Sequence, residues 1–581
     1  MTDLATHHWK DSLTAEPLDA EPGRALSEGR AKRPLEVART RLLVAGAVFA
    51  LCFAVLGFRL VGLALFEDAP DSRASAHRGA EGVSVARADL TDRNGTLLAT
   101  NLPTVTLYAD PSLVIDANDA INKLQGVLPE LSREWLLRQL DGKGRYVRIK
   151  RSLTPDQEYE INRLGLPGFG FEREERRVYP QGPLLAHVLG YAGVDNHGLA
   201  GLERGLDGRL DALADAGPVA LSLDISVQHV LNEEVASAIQ EFDGIGGAGI
   251  VLDVETGEIL AMTSLPTFDP NADRKPDDPN QFNRATKGVY EFGSTFKSFT
   301  LAMALDYGVV GLGDGYDASA PIRVSRYTIN DDHPKNRWLS VPEIFMYSSN
   351  IGAAKMALDV GAARQRAFLE KLGMLQPLTL EVPEIGSPLA PSPKDWRELS
   401  TMTIAYGHGV AVTPLHLASA MAALVNGGIL HPPTLLRRAP GVPAPGVRVI
   451  KPETSEIMRR LLRLVVTDGT GKKAAAPGYL VGGKTGTSDK YNSNALLTTF
   501  VGAFPMNAPR YVVLVSIDEP KGNKSTFGFA TAGWTAAPSV GRVVTRIAPL
   551  LGVEPVDEDA EPIRNELNIL KVSAGAQLEA F

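Results

Sequence analysis

The sequence predicts an α+β fold, in which an antiparallel sheet is covered by helices and flanked by an all-helical lobe. Three observations predict it. "GAGIVLDVETGEILAMTS" sets two apolar strands around "ETG", a hairpin signal. A long, mainly helical pattern then runs from Ser294 to about Leu464. Three further strand candidates follow in "YLVGGKTGTSDK", "LTTFVGAFP" and "YVVLVSIDEP", and a last helix covers about Thr535 to Leu551. Strands separated by a helical block argue for segregated layers and against alternating βαβ units.

The chain begins with a polar tail, residues 1–41, and a membrane anchor, residues 42–66. "LLVAGAVFALCFAVLGF" carries no charge, and beyond Arg59 the apolar run resumes as "LVGLALF". As a helix, such a run reaches about 37 Å at 1.5 Å per residue, enough to cross a bilayer. Arg59 lies near the outer end, where its stem carries the charge to the interface. The rival reading is a cleaved signal peptide, since "ASA" follows at Ala74–Ala76. Glu67, Asp68, Asp71 and Arg73 separate that site from the apolar run, which favours an uncleaved anchor. Arg30, Lys32, Arg33, Arg39 and Arg41 precede the span, and the acids follow it. The positive-inside rule therefore puts the tail in the cytoplasm and everything after Phe66 outside.

Residues 67–221 read as a separate mixed α/β pedestal. "TLLATNLPTVTLYADP" suggests strands, with turn chemistry at "DRNG", Asp92–Gly95. "DANDAINKLQGVLPELSREWLLRQL" suggests helices broken at Pro129. A second unit, residues 222–555, opens with a helix that Asp224 or Ser226 can cap. Val227, Val230, Leu231, Val235 and Ile239 lie on one side of it. Residues 556–581 form an acidic C-terminal tail. A chain of 581 residues exceeds one hydrophobic core, which agrees with two or more folded units.

Composition narrows the function. A net charge of −9 argues against a nucleic-acid binder. The single cysteine, Cys52, excludes an internal disulfide, and the ten histidines form neither HExxH nor a Cys/His cluster, so no metal site is expected.

The chemistry concentrates in three short stretches. "EFGSTFKSFT" places Ser294 and Lys297 one helical turn apart if a helix starts near Gly293, with Phe296, Phe299 and Met303 facing the core. Ser294 then lies at the helix N-terminus, where unpaired N–H groups favour developing negative charge. A serine hydroxyl needs a base, and lysine serves as one when its pKa is lowered by burial or a nearby cation. Alone the pair is weak evidence, because two fixed letters in four recur by chance. "YSSNIG" adds Ser348 and Asn350, and "GGKTGTSD" adds Lys484, Thr485, Gly486 and Thr487. Taken singly these read as a turn pair and a polar edge strand. Each of the three motifs occurs once in the chain, and they fall in the order SxxK, SxN, KTG.

That trio belongs to the motif set of penicillin-binding proteins and β-lactamases. The chain resembles class B penicillin-binding proteins, above all the septal peptidoglycan D,D-transpeptidases of cell division (the penicillin-binding protein 3 type). "DRNGTLLA", "RVYPQGPLLAHVLGY", "GLAGLE" and "AYGHGVAVTPLHLASAMAALVNGG" add to the likeness. "VVTDGTGKKAAAPGYLVGGKTGT" and "DEPKG" favour the septal type over the elongation type. Departures are Phe292 and Ser298 where the family has proline, Ala88 where it has glycine, and His416 where it has glutamine.

The resemblance implies a penicillin-binding transpeptidase fold on a dimerisation-type pedestal, anchored in the bacterial inner membrane with its catalytic domain outside, at the division septum. It implies that Ser294 attacks stem peptides ending in D-Ala-D-Ala, releases D-Ala and passes the acyl group to a neighbouring amine. Lys297 would be the acylation base and Ser348 a proton relay. Asn350 would hold Lys297 or substrate, and Lys484 would depress the pKa of Lys297. Thr485 and Thr487 would bind the substrate carboxylate, Gly486 would allow close approach, and the N–H groups of Ser294 and Thr487 would form the oxyanion hole. β-Lactams would acylate the same serine. No cofactor is implied, and the implied partners are a polytopic glycan polymerase and other division proteins.

Alternatives are an elongation-type transpeptidase and an inactive sensor. A β-lactamase or carboxypeptidase leaves the pedestal unexplained, and a class A β-lactamase would want Glu-x-x-Leu-Asn, which the chain lacks. No second catalytic domain for glycosyl transfer fits the pedestal.

Overall fold

The computed structural model describes residues 87–567, save 143, 273–276, 325, 491–492 and 494, together with scattered positions between 43 and 55. Those scattered positions are helical, and Leu43, Phe49, Leu51, Phe53 and Val55 are exposed. The rest of the expected span 42–66, with the tails 1–41 and 568–581, lies outside the described residues. No helix among the described residues is long and apolar enough to cross a membrane. The described residues from Arg87 to Leu567 form one compact unit.

The N-terminal part of that unit is built on the strand Leu97–Ala109, which pairs antiparallel with Val147–Leu153 and with Phe169–Val178. The expected turn at Asp92–Gly95 forms, because Asp92 Oδ1 accepts from the N–H groups of Asn94 and Thr96. Helices Ala117–Val127 and Arg133–Leu140 flank the break at Pro129, capped by Asp116 and Ser132. Leu107, Ile121, Leu124, Leu136, Ile149 and Ile161 close a core of their own beneath this sheet. Arg87 is buried and ion-pairs with Glu203, Asp207 and Asp211, while Arg177 takes the other oxygen of Glu203. Two guanidiniums sharing one carboxylate leave no buried charge unpaired.

The stretch "RVYPQGPLLAHVLGY" ties this part to the larger sheet. Asn271 Oδ1 accepts from the Tyr179 N–H and its amide donates back to the Tyr179 carbonyl. His187 Nε2 donates to the Pro266 carbonyl, and Asn283 donates to the carbonyl of His187.

The larger sheet has five antiparallel strands in the spatial order Gly482–Asp489, Leu496–Phe504, Tyr511–Asp518, Gly246–Asp253 and Ile259–Leu265. The "ETG" hairpin joins the last two, with Asp253 Oδ1 accepting from the N–H groups of Glu255 and Thr256. Strand side chains alternate between faces. Val513, Val515 and Ile517 meet helices Ile225–Glu241 and Ala536–Leu550 on one face. Val512 and Leu514 meet Pro414–Val425 on the other. Both faces are covered, so Tyr511–Asp518 is buried along its whole length. Asp224 caps the first of these helices by accepting from Ser226 and Val227, and Val227, Val230, Leu231 and Val235 are buried as the periodicity predicts.

Helices Lys297–Asp306, Val341–Tyr347, Asn350–Val360, Ala362–Lys371 and Glu398–Ile404 form the adjoining lobe. The lobe is not all-helical, however. Ile322–Val324 pairs with Tyr327–Ile329, and Gly315–Asp317 with Trp338–Ser340. "IRVSRYTI" is rich in β-branched and aromatic residues, which favour extended pairing over a helix, and it closes as a hairpin. The segment after 556 carries the helix Glu561–Leu567, and Glu558 binds both Arg463 and the Gly478 N–H.

Candidate active site

The strand Gly482–Asp489 is an edge strand, so one of its margins has no neighbour in the sheet. Against it packs a 3₁₀ turn, Gly293–Phe296, that leads into the helix Lys297–Asp306. The expected α-helix from Gly293 therefore starts with a tighter turn. In a 3₁₀ turn residues i and i+3 eclipse, which stacks Ser294 directly beneath Lys297. Phe296, Phe299 and Met303 fill the core as expected and hold the turn from below.

Gly486 makes the close approach possible. A Cβ there would overlap the Phe292 carbonyl oxygen and crowd Thr295, so only hydrogen lets the strand seat against the nucleophile turn. Gly407, at φ +90, backs the carbonyl of Gly293 from the other side in the same way.

Lys297 is fully buried and its amino group has four oxygen neighbours. Nζ lies 2.9 Å from Ser294 Oγ, 3.0 Å from Ser348 Oγ, 2.5 Å from the Ser348 carbonyl and 2.6 Å from Asn350 Oδ1. Burial lowers its pKa to about 7, against the opposing pull of Asp332 and Asp331.

Lys484, also fully buried, points from the edge strand to the same place, with Nζ 3.0 Å from Ser348 Oγ. Its pKa is pushed well below the usual lysine range by burial, then by the charge of Lys297. Burial leads at both lysines, because neither ammonium reaches water, and the repulsion between the two like charges is mutual.

Ser348 ends the helix Val341–Tyr347 in the left-handed region, at φ +61. That conformation is uncommon for a residue with a side chain. It turns the chain so that Ser348 faces both lysines while Ser349 caps the next helix. Two residues that sequence reasoning missed hold this turn. Asp331 Oδ2 accepts from the Ser349 hydroxyl at 2.8 Å and Oδ1 from the Ile351 N–H at 2.9 Å. The Asn330 carbonyl accepts from Asn350 Nδ2 at 2.8 Å, which leaves Asn350 Oδ1 to face Lys297. "IND" carries no separate signal in sequence, because its contact partners lie about twenty positions away.

On the opposite face of the edge strand, Thr487 Oγ1 accepts from the Ala532 N–H at 3.0 Å and so keeps its own proton to donate. Thr485 Oγ1 pairs with Thr470 Oγ1 at 2.7 Å, a second residue the motifs did not reveal. Of the departures from the family pattern, Phe292 is buried edge-on to Tyr290. Ser298 Oγ is buried with no hydrogen-bond partner among the described residues. His416 caps its own helix, accepting from the Thr413 hydroxyl at Nδ1 and donating from Nε2 to the Gln376 carbonyl. Among the described residues one trio has metal-ligand types within reach of each other, His197, Asp207 and Asp211, but both carboxylates ion-pair with Arg87.

The profile of the penicillin binding protein transpeptidase domain matches residues 247–538, half of the chain. The chain belongs to the penicillin-binding transpeptidase family. The profile of the penicillin-binding protein dimerisation domain matches residues 83–211. The chain is 41% identical over 541 residues to a probable peptidoglycan D,D-transpeptidase FtsI of Caulobacter vibrioides, covering 90% of each protein. The transpeptidase domain of Burkholderia pseudomallei penicillin-binding protein 3 is 32% identical, with a TM-score of 0.52 over 58% of this chain and 97% of that one. Penicillin-binding protein 3 of Mycobacterium tuberculosis, solved with aztreonam, is 24% identical, with a TM-score of 0.64 over 82% and 98% of the two chains. At that identity the likeness speaks for the fold.

Proposed function

We propose that the protein is a membrane-anchored peptidoglycan D,D-transpeptidase of the division septum, acting through an acyl-enzyme on Ser294. The observation that carries this reading is the 2.9 Å contact between Ser294 Oγ and the buried amine of Lys297. The relatives' names, the two family profiles and the likeness to septal enzymes support it.

A donor stem peptide ending in D-Ala-D-Ala lies along the free margin of Gly482–Asp489 as an added strand. Its terminal carboxylate meets the hydroxyls of Thr485 and Thr487. Neutral Lys297 takes the Ser294 proton as Oγ attacks the penultimate carbonyl. The N–H groups of Ser294 and Thr487 receive the oxyanion. Ser348, between the two lysines, passes a proton to the departing D-Ala amine, and Asn350 keeps Lys297 aimed at Ser294. A neighbouring stem's amine then attacks the acyl carbon and forms the cross-link. β-Lactams acylate the same serine because they mimic the donor.

Residues 67–221 serve as the pedestal, residues 222–555 as the catalytic domain and residues 42–66 as the anchor, with catalysis outside the inner membrane. A polytopic glycan polymerase and other division proteins are the partners this placement calls for. The intact contacts among Ser294, Lys297, Ser348, Asn350 and Lys484 disfavour an inactive sensor.

The test incubates the full chain in detergent with a donor stem peptide and an acceptor amine. Released D-Ala together with a cross-linked product is the expected result; donor left intact would reject the reading.

A further inference from the structure

His408 and Glu291 form a dyad beside the nucleophile turn. His408 Nδ1 lies 3.0 Å from Glu291 Oε2, and Glu291 Oε1 accepts from the Gly409 N–H at 2.8 Å. The Glu291 carboxylate is mostly buried, at 13% exposure, whereas the His408 ring is 40% exposed. An edge contact with Tyr406, 5.5 Å between centroids, fixes the ring plane.

A carboxylate accepts only, so neutral His408 carries its proton on Nδ1 and presents a lone pair at Nε2. Nε2 has no hydrogen-bond partner among the described residues. This is the orientation in which a carboxylate makes an imidazole a base.

The dyad is also placed next to the groove. The Glu291 carbonyl accepts from Ser488 Oγ at 2.6 Å, one residue beyond Thr487 on the edge strand. Glu291 precedes Ser294 by three residues, and Gly407 abuts the Gly293 carbonyl. The loop bearing His408 and the turn bearing Ser294 are thus one packed unit.

Lysines 297 and 484 and Ser348 form one hydrogen-bonded cluster with Ser294 and are engaged in acylation. The second half-reaction needs a proton acceptor that an incoming amine can reach, and the His408 ring is partly exposed. We propose that His408, oriented by Glu291, is the general base for the acceptor amine in attack on the acyl-enzyme. The amine nitrogen forms a bond to the acyl carbon, and as it does so its proton passes to His408 Nε2. The bond from the acyl carbon to Ser294 Oγ then breaks, Oγ is protonated through Lys297, which draws that proton from solvent because its earlier one left with D-Ala, and His408 releases the amine's proton to solvent. Glu291 is a positioning residue, and its negative charge stabilises the imidazolium and draws a cationic acceptor. The inference rests on the acyl-enzyme reading above.

The test follows a thioester mimic of the donor, with D-alanine as acceptor amine, and measures the ratio of amine-transfer product to hydrolysis product. The ratio is independent of how fast the acyl-enzyme forms, and an unchanged far-UV circular dichroism spectrum of the variant excludes a general loss of structure. In His408→Gln the ratio is expected to fall about tenfold or more, since general bases contribute roughly 10²–10⁴. Should that variant not turn over the thioester, Glu291→Gln is read in its place, with an expected severalfold fall. A ratio within about twofold of the native protein's in the variant read overturns the proposal. Failure of the native protein to consume the thioester would instead overturn the acyl-enzyme reading itself.

Discussion

Lys297 and Lys484 meet at one oxygen, with each Nζ 3.0 Å from Ser348 Oγ. Both amines are fully buried, and two ammonium groups around one hydroxyl repel strongly at low dielectric. The pair therefore titrates as a unit, and losing a proton from Lys297 is what lets Ser294 become a nucleophile. The left-handed Ser348 is the hinge of the arrangement, since it aims hydroxyl and carbonyl together at Lys297.

The pH dependence of acylation follows. Burial brings Lys297 to about 7. Below that pH the amine holds a proton and cannot accept another. Acylation by a β-lactam, followed by stopped-flow fluorescence, is therefore expected to rise with pH through about 7. Its slope approaches about tenfold per unit on the acid side, as for any reaction that needs one deprotonated group.

Gly486→Ala tests the seating of the edge strand. The added methyl would overlap the Phe292 carbonyl, so the strand must lift away from the nucleophile turn. A displacement of about 1 Å typically costs about 10²-fold in rate. The acylation rate constant is expected to fall by that order, with the far-UV circular dichroism spectrum unchanged.

Asp331→Ala removes the acceptor for the Ser349 hydroxyl and the Ile351 N–H. Hydrogen bonds to a charged group contribute about 1.5–3 kcal/mol each. Calorimetry is expected to show a lowered Tm. Acylation should slow as well, because the turn that aims Ser348 and Asn350 loses its tether.

Much of this site was legible in the sequence, for one physical reason. Ser294 and Lys297 are local partners one turn apart, so spacing alone brings them together. The sheet and its covering helices were likewise visible in the apolar runs of Gly246–Leu265 and Leu496–Asp518. What stayed hidden depends on long-range contact. Asn330, Asp331, Thr470 and the Glu291–His408 pair acquire meaning only when remote segments fold against the motifs. The hairpin Ile322–Ile329 was lost inside a helical reading because each of its strands has three residues, too few to show a period of two.

Stability should carry a signature of His187. Burial lowers its pKa to about 4, while its Nε2–H donates to the Pro266 carbonyl. The unfolded chain takes up a proton near pH 6.5 and the folded one does not, so stability is lost as pH falls from about 6.5 toward 4. At about 1.36 kcal/mol per pH unit the loss reaches about 3 kcal/mol. In His187→Gln the denaturation midpoint is expected to depend less on pH over that window.

The most direct measurement is to locate the acyl group. The full chain is treated with a penicillin, digested and sequenced by tandem mass spectrometry. The account predicts a single penicilloyl adduct on Ser294, absent from the Ser294→Ala protein. An adduct on another residue, or one that survives the substitution, would contradict it.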